Sequence, residues 1–149
     1  RFRAAAPNYR PLTSLLRARA EAHETYALTL DELEAFYVHL RIRLISAPVA
    51  SNLQSLLGQD VELSQLAPMT RQASSYVLDI SHFERQCFEA YFEIRQPQES
   101  LKTLLEAVAD IFYRTLRPVV LACNDIDILR EMADCLQMDI LEPQQQSAK

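Results

Sequence analysis

The chain has 149 residues and a formal net charge of −5, from 15 basic and 20 acidic residues, so no overall positive field favours nucleic acid or an anionic membrane. Hydrophobic residues make up 49% of the chain, which is enough to form a core and too many for a disordered chain. Glycine occurs once, at Gly58. Because glycine serves tight turns and sheet bulges, its scarcity predicts an all-α fold, an elongated helical bundle or rod of about five to six helices.

The longest uninterrupted apolar run, 119–123, is far shorter than the roughly 20 residues that cross a bilayer as a helix, so we predict no transmembrane segment. The first residue is not Met, and residues 1–7 lack the apolar core of a signal peptide, which indicates a piece of a longer protein. An odd number of cysteines without a CxxC pair predicts free thiols in a reduced, cytosol-facing compartment. These cysteines are Cys87, Cys123 and Cys135.

Prolines divide the chain into periodic segments, and we predict that they mark the corners between helices. They are Pro7, Pro11, Pro48, Pro68, Pro97, Pro118 and Pro143.

The first predicted helix, 12–23, carries leucines on one side and then charge. The second predicted helix begins near Thr29, which forms a capping-box pattern with Glu32. This helix is predicted to end at 46–48. Its apolar positions alternate at steps of three and four. They are Leu30, Leu33, Tyr37, Leu40 and Leu44.

A short helix over 49–57 is predicted to end at Gly58 as a left-handed C-terminal cap. The following stretch, 59–67, is ambiguous: Asp60 could cap a helical turn there, and a loop fits nearly as well. From Pro68 the spacing predicts the longest helix, with an apolar stripe broad enough to pack on several neighbours in a bundle. The stripe comprises Met69, Ala73, Tyr76, Ile80, Phe83, Cys87, Ala90 and Ile94, widened by Val77, Phe88, Tyr91 and Phe92.

The stretch 101–141 predicts a helix, a bend at Pro118 and a second helix. Asn124 is the expected N-cap of that second helix, and Asp125 and Asp127 suit its positive N-terminal end. Residues 1–141 form the predicted helical segment. Residues 142–149 lack large apolar side chains and are predicted to be disordered.

Catalytic equipment is scarce in this sequence. Asp79, His82 and Cys87 are the best metal-ligand grouping, but no second cluster supplies the remaining ligands, and solvent-exposed histidines are the simpler interpretation. The glycines that would build an oxyanion hole or a phosphate-cradling loop are missing. We therefore predict no enzyme, with no catalytic, cofactor-binding or metal-binding residue and no cofactor.

Arginines are the remaining candidates for a binding site. Seven of them lie among acidic residues in the first part of the chain, which favours a solvated helix surface over a binding patch. They are Arg1, Arg3, Arg10, Arg17, Arg19, Arg41 and Arg43. Arg114 and Arg117 flank Tyr113, where a helix-capping or intrachain pairing role is favoured over recognition of a partner.

Two consecutive stretches within 101–141 form a distinctive order: Tyr113-Arg114-Thr115-Leu116-Arg117-Pro118-Val119-Val120 followed by Ile126-Asp127-Ile128-Leu129-Arg130-Glu131-Met132-Ala133-Asp134-Cys135-Leu136. This order resembles that of the third subunit of the conserved oligomeric Golgi complex, a vesicle-tethering assembly. The likeness extends upstream, in the same order, through 2–7 and 76–92.

The resemblance implies a non-catalytic scaffold segment that acts in retrograde intra-Golgi vesicle transport, peripheral to the membrane on the cytosolic face of the Golgi. It implies other subunits of the same complex as partners, and beyond them membrane-fusion proteins, small GTPases and coat proteins. Two other hypotheses stay open: a helical adaptor or regulatory domain that binds a peptide or a small GTPase, and a small all-α enzyme. The apolar pattern also predicts that Ile111→Asp and Phe83→Asp each unfold the segment, because each would bury an unpaired charge.

Overall fold

The computed structural model describes residues 2–58, 62–93 and 99–141, and it confirms the all-α helical bundle. The described residues contain no strand. The helices are α1 (Phe2–Ala20), α2 (Glu24–Leu56), α3 (Leu66–Tyr91), α4 (Glu99–Ala122) and α5 (Ile126–Leu136). A 3₁₀ turn, Leu63–Gln65, precedes α3, and a π-helical turn, Gln137–Leu141, follows α5. The predicted disorder of 142–149 falls outside the described residues.

The chain divides into two compact units. Unit 1 comprises Arg1–Leu44 and Ser81–Ala107, and unit 2 comprises Ile45–Ile80 and Val108–Lys149. Helix α1 belongs to unit 1 and α5 to unit 2, whereas α2, α3 and α4 each contribute residues to both units.

Unit 2 has a continuous apolar core. Leu53 and Val108 are fully buried in it, and Met132 anchors α5 to the same cluster. Complete burial of one such side chain stabilises the fold by about 1.5 to 3 kcal/mol. The core therefore explains why α5, with only 11 residues, is held in place.

The prolines were predicted to mark the corners between helices, but most of the described ones lie inside helices. Pro68 lies in the first turn of α3, as expected, but Pro48 lies inside α2, Pro118 lies inside α4, and Pro7 and Pro11 both lie inside α1. All four internal prolines are exposed, so water can bond to the carbonyls that lose their N–H partner. In α2, Val49 and Leu53 beyond Pro48 are buried, so tertiary packing outweighs one missing hydrogen bond there.

The predicted helix caps were wrong at three places. Helix α2 starts at Glu24, and Thr29 lies inside it with its hydroxyl donating to the Thr25 carbonyl at 2.9 Å. The cap of α5 is Asp125 in place of Asn124, since Asp125 accepts hydrogen bonds from two backbone N–H groups of the first turn. Gly58 follows α2, but its φ lies outside the left-handed region.

The core face of α3 differs from the predicted stripe. Phe83 was expected in the core and is 46% exposed, whereas Glu84 is buried. Thr70 and Ser74 are also buried, and their hydroxyls donate to the carbonyls of the preceding turn at 2.7 and 2.9 Å. A hydrophobic pattern misses this face because its polar groups are satisfied within the protein. In α2, Leu33 and Leu44 are likewise exposed.

Candidate interaction groove

An apolar groove of about 850 Å³ lies in unit 1, between α1 and α2, with the end of α3 closing it. The lining is almost wholly hydrophobic. It consists of Phe2, Ala5, Tyr9, Leu12, Thr13, Leu15, Leu16, Leu33, Phe36, Tyr37, Leu40, Tyr91 and Phe92.

Several large apolar side chains that line this groove are exposed to solvent. Leu33 is 40% exposed and Phe36 66%, with Tyr9, Leu12 and Leu15 between these values. Single exposed apolar residues are normal on a protein surface, but a contiguous patch of them marks an interaction surface or a ligand groove. The groove is therefore the strongest candidate site among the described residues.

Aromatic rings form the inner wall of the groove. The Tyr37 ring meets those of Phe2 and Phe92 edge-on, with centroids 5.6 and 5.5 Å apart. Phe88 packs on Phe92 at 4.9 Å. Such pairs add about 0.5 to 1.5 kcal/mol each to the burial of their surface. The wall is thus closely packed, in contrast to the exposed leucines at the mouth.

Two short hydrogen bonds fasten α1 to α3 beside this wall. The Tyr91 hydroxyl donates to the Phe2 carbonyl at 2.6 Å, and the Thr13 hydroxyl donates to the Tyr91 carbonyl at 2.6 Å. Arg10 adds a bond to the Glu89 carbonyl at 2.9 Å. Helix α1 is therefore held in part by polar bonds, while Leu12 and Leu15 remain exposed in the groove.

A buried ion pair lies behind the groove. The Arg41 guanidinium donates two hydrogen bonds to the Glu84 carboxylate, one of them from Nε to Oε2 at 2.8 Å. Arg41 also stands over the Phe2 ring, 4.8 Å from its centroid. The hydrogen bond with Glu84 raises the pKa of Arg41, so the guanidinium stays charged. The pair joins α2 to α3 and supports the aromatic wall.

A second ion pair joins α1 to α2. Arg17 meets Glu34 at 2.7 Å, and both side chains are largely buried. Burial raises the pKa of the Glu34 carboxyl, and the hydrogen bonds with Ser100 and Arg17 offset only part of that rise. Glu34 therefore costs desolvation energy while it orients α1.

The Tyr37 hydroxyl is the buried side-chain polar atom that lacks a hydrogen-bond partner in the described part of the chain. Burial raises the pKa of Tyr37, so the phenol stays neutral. Its ring packs in the aromatic wall, and that packing offsets the cost of an unsatisfied hydroxyl.

Asp79, His82 and Cys87, the best metal-ligand grouping in the sequence, differ in their exposure. Asp79 and His82 point to solvent, whereas Cys87 is buried, and burial raises the pKa of its thiol. A buried neutral thiol is a poor nucleophile and a poor ligand. Residues 2–58, 62–93 and 99–141 contain no group of three His, Cys, Asp or Glu side chains that could hold a metal ion.

The arginines considered as a binding site differ in their surroundings. Arg114 pairs with Asp110 at 2.9 Å on the exposed face of α4, which fits the favoured intrachain role. Arg117 is also exposed. Arg17 and Arg41 were expected on a solvated surface and instead form the ion pairs described above, so that expectation was wrong for these two residues.

Sequence reasoning missed the groove and the Arg41–Glu84 pair. One signal was present: Glu84 follows Val77 by seven residues and precedes Phe88 by four, a position on the apolar side of the helix. A charged residue at such a position predicts a buried partner. Its identity could not be read from the sequence, because Arg41 is 43 residues away.

No helix in the described residues combines the length and the apolar character that a membrane span requires.

The fold and the groove define an all-α protein of helical bundles with a large exposed apolar surface. A family model described as "Conserved oligomeric Golgi complex subunit 3, C-terminal" matches residues 1–149, and the chain belongs to this family. The resemblance found in the sequence is thereby confirmed.

Curated relatives agree with this assignment. The chain is 24% identical over 142 residues to "Conserved oligomeric Golgi complex subunit 3" of Drosophila melanogaster, and 25% identical over 142 residues to the Homo sapiens protein of the same name. Each match covers 95% of this chain but only 15% and 17% of the two relatives, so the chain spans about one sixth of their length. No solved structure shows a significant match to the chain.

Proposed function

We propose that this chain is a non-catalytic scaffold segment of a subunit of a Golgi vesicle-tethering complex. Family membership carries the proposal, since relatives bear the name of a subunit of the conserved oligomeric Golgi complex. The groove supports it, because an exposed apolar surface suits assembly with other proteins.

The finer function is retrograde intra-Golgi vesicle transport, with the protein peripheral to the membrane on its cytosolic side. Cys87, Cys123 and Cys135 are free and buried, which is compatible with a reducing compartment. The partners are the other subunits of the same complex, and beyond them membrane-fusion proteins, small GTPases and coat proteins. No catalytic step is required of any described residue.

The mechanism is binding between helices. Apolar surface removed from water contributes about 25 cal/mol per Å², and this gain drives association when the surfaces are complementary. The buried ion pairs and the aromatic wall fix the relative positions of α1, α2 and α3 within unit 1, so the groove is formed before a partner arrives.

Affinity purification of the tagged full-length protein from its own cells tests the proposal, with quantitative mass spectrometry of every co-purifying protein. We expect the other subunits of the tethering complex in amounts comparable to the bait. Their absence at low and at physiological salt would overturn the proposal. Recovery of a peptide-bearing regulator or a small GTPase in their place would favour an adaptor, which the groove also fits.

A further inference from the structure

The groove has the dimensions of a helix-binding site. On the α1 side it runs from Phe2 to Leu16, about 21 Å at 1.5 Å per residue, and on the α2 side from Leu33 to Leu40, about 10 Å. An additional helix of two to three turns lies naturally between two existing helices, where its side chains enter the spaces between theirs.

An exposed arginine lies near the end of the groove face of each of α1 and α2. Arg19 lies seven residues after Leu12, and Arg43 lies seven residues after Phe36, so each arginine is two turns further along the groove face of its helix. Both arginines are exposed, as is Glu32, the acidic residue four positions before Phe36. Helix α1 itself contains no acidic residue. A complementary surface is therefore apolar in its centre and carries carboxylates where it meets these two arginines.

We propose that the groove of unit 1 docks an amphipathic helix of another subunit of the same complex, a helix with an apolar stripe and acidic flanking residues. Large apolar side chains of the partner occupy the space between Leu12 and Phe36. Its carboxylates pair with Arg19 and Arg43 at the rim. The inference deepens the proposed function and rests on it for the source of the helix.

A photocrosslinker at position 36 tests the occupant directly. Phe36→benzoylphenylalanine is introduced into the full-length protein in cells, which are irradiated before the complex is purified and analysed by mass spectrometry. Phe36 is 66% exposed, so the larger aromatic side chain is tolerated. We expect crosslinks to one helical segment of another subunit. The control position is Ile126 in unit 2, which is 80% exposed and lies outside the groove.

Charge introduced into the groove tests its apolar character. In this assay the crosslinker is moved to the neighbouring groove position 33, and the double variant Leu12→Glu with Phe36→Glu is compared with the wild type. We expect the crosslink yield to fall at least about tenfold, because one or more central contacts are lost. The matched control is Leu121→Glu with Ile126→Glu, at positions 70% and 80% exposed, which leaves the yield unchanged. Unchanged circular dichroism in both variants excludes unfolding as the cause.

Charge reversal at the rim tests the acidic flank. Arg19→Glu with Arg43→Glu weakens docking and reduces its dependence on salt, whereas Arg117→Glu with Arg130→Glu, at exposed positions of unit 2, has neither effect. Equal effects of the two pairs would overturn the acidic character of the partner helix.

The outcomes separate the docking proposal from the proposed function. If the other subunits co-purify but position 36 crosslinks to none of them, the docking proposal fails and the tethering function stands. Crosslinks within the same polypeptide, to a second copy of it, to lipid or to an unrelated protein also overturn the docking proposal. If no subunit of the complex co-purifies, the proposed function itself fails.

Discussion

At the scale of single residues, the Arg41–Glu84 pair is the least expected feature of unit 1. Both side chains are at least nine-tenths buried, so the pair depends on each member to neutralise the other. We expect Glu84→Ala to lower the free energy of unfolding by about 3 to 5 kcal/mol, because it leaves the Arg41 charge buried alone. Urea unfolding followed by circular dichroism measures this change.

Two controls separate the effect of the unpaired charge on stability from the effect of side-chain volume. Arg41→Met with Glu84→Met removes both charges and keeps apolar bulk, and it recovers most of the lost stability. Glu89→Ala breaks the more exposed pair with Arg85 and costs less than about 1 kcal/mol. A double variant as unstable as Glu84→Ala would show that the loss comes from packing.

Glu34 makes stability depend on pH in a defined direction. Its folded pKa lies above the ordinary value of 4.5, so the folded chain holds this proton more tightly than the unfolded chain does. The stabilisation that the tighter proton binding of Glu34 gives to the folded state is complete below the unfolded pKa and is lost as the pH rises through the folded pKa. We expect the unfolding free energy of the wild type, relative to Glu34→Gln, to fall from pH values below 4.5 to neutral pH. Urea unfolding across this range measures the difference, and a rise would contradict it.

Tyr37 offers a stabilising substitution. Its buried hydroxyl lacks a hydrogen-bond partner in the described residues, so Tyr37→Phe removes a desolvated polar group and keeps the ring contacts. We expect a gain of about 1 kcal/mol in the free energy of unfolding. Thermal unfolding measures it, with Tyr113→Phe on the exposed face of α4 as the control that changes little. A loss of stability would mean that the hydroxyl is satisfied in solution.

At the scale of elements, helix class and approximate position could be predicted from the sequence, because periodicity and the scarcity of glycine depend on local chemistry. Helix ends could not. Pro48 has a strong local tendency to end a helix, yet Val49 and Leu53 beyond it are buried in the unit 2 core and carry α2 onward. The same limit applies to the groove, since its exposed leucines have the spacing of a core face and only the tertiary structure shows which faces remain uncovered.

The residue that caps the N-terminus of α5 differs between the sequence prediction and the structure. Asp125 accepts hydrogen bonds from the backbone N–H groups of Asp127 and Ile128 at 3.0 and 3.3 Å, whereas Asn124 was the predicted cap. We expect Asp125→Ala to cost about 1 kcal/mol and Asn124→Ala a few tenths, because only the first removes the cap and its charge at the helix dipole. Chemical unfolding of the two variants tests this order, and the reverse order would restore the original prediction.

At the scale of the whole molecule, each unit has an apolar centre of its own. Unit 1 is centred on aromatic rings around Tyr37 and Phe88, and unit 2 on aliphatic side chains around Leu53 and Val108. Rings that interlock edge to face allow few alternative packings, and this rigidity suits a unit that also presents an open apolar groove. Unit 1 also contains the two buried ion pairs, Arg17–Glu34 and Arg41–Glu84, which join α1 to α2 and α2 to α3.

The two centres make the fold sensitive to core truncation in either unit. Phe88 and Leu53 have no exposed surface, so we expect Phe88→Ala to cost about 3 to 5 kcal/mol and Leu53→Ala about 2 to 5 kcal/mol. Phe83 was predicted to be a core residue but is 46% exposed, so it serves here as the control. We expect Phe83→Ala to cost less than about 1 kcal/mol and Phe83→Asp to be tolerated as well. Ile111 is partly buried against the unit 2 core, so Ile111→Asp remains strongly destabilising. Thermal unfolding of all five variants measures the order, and equal losses for Phe83→Ala and Phe88→Ala would show that the side of α3 packed in the core is wrongly assigned.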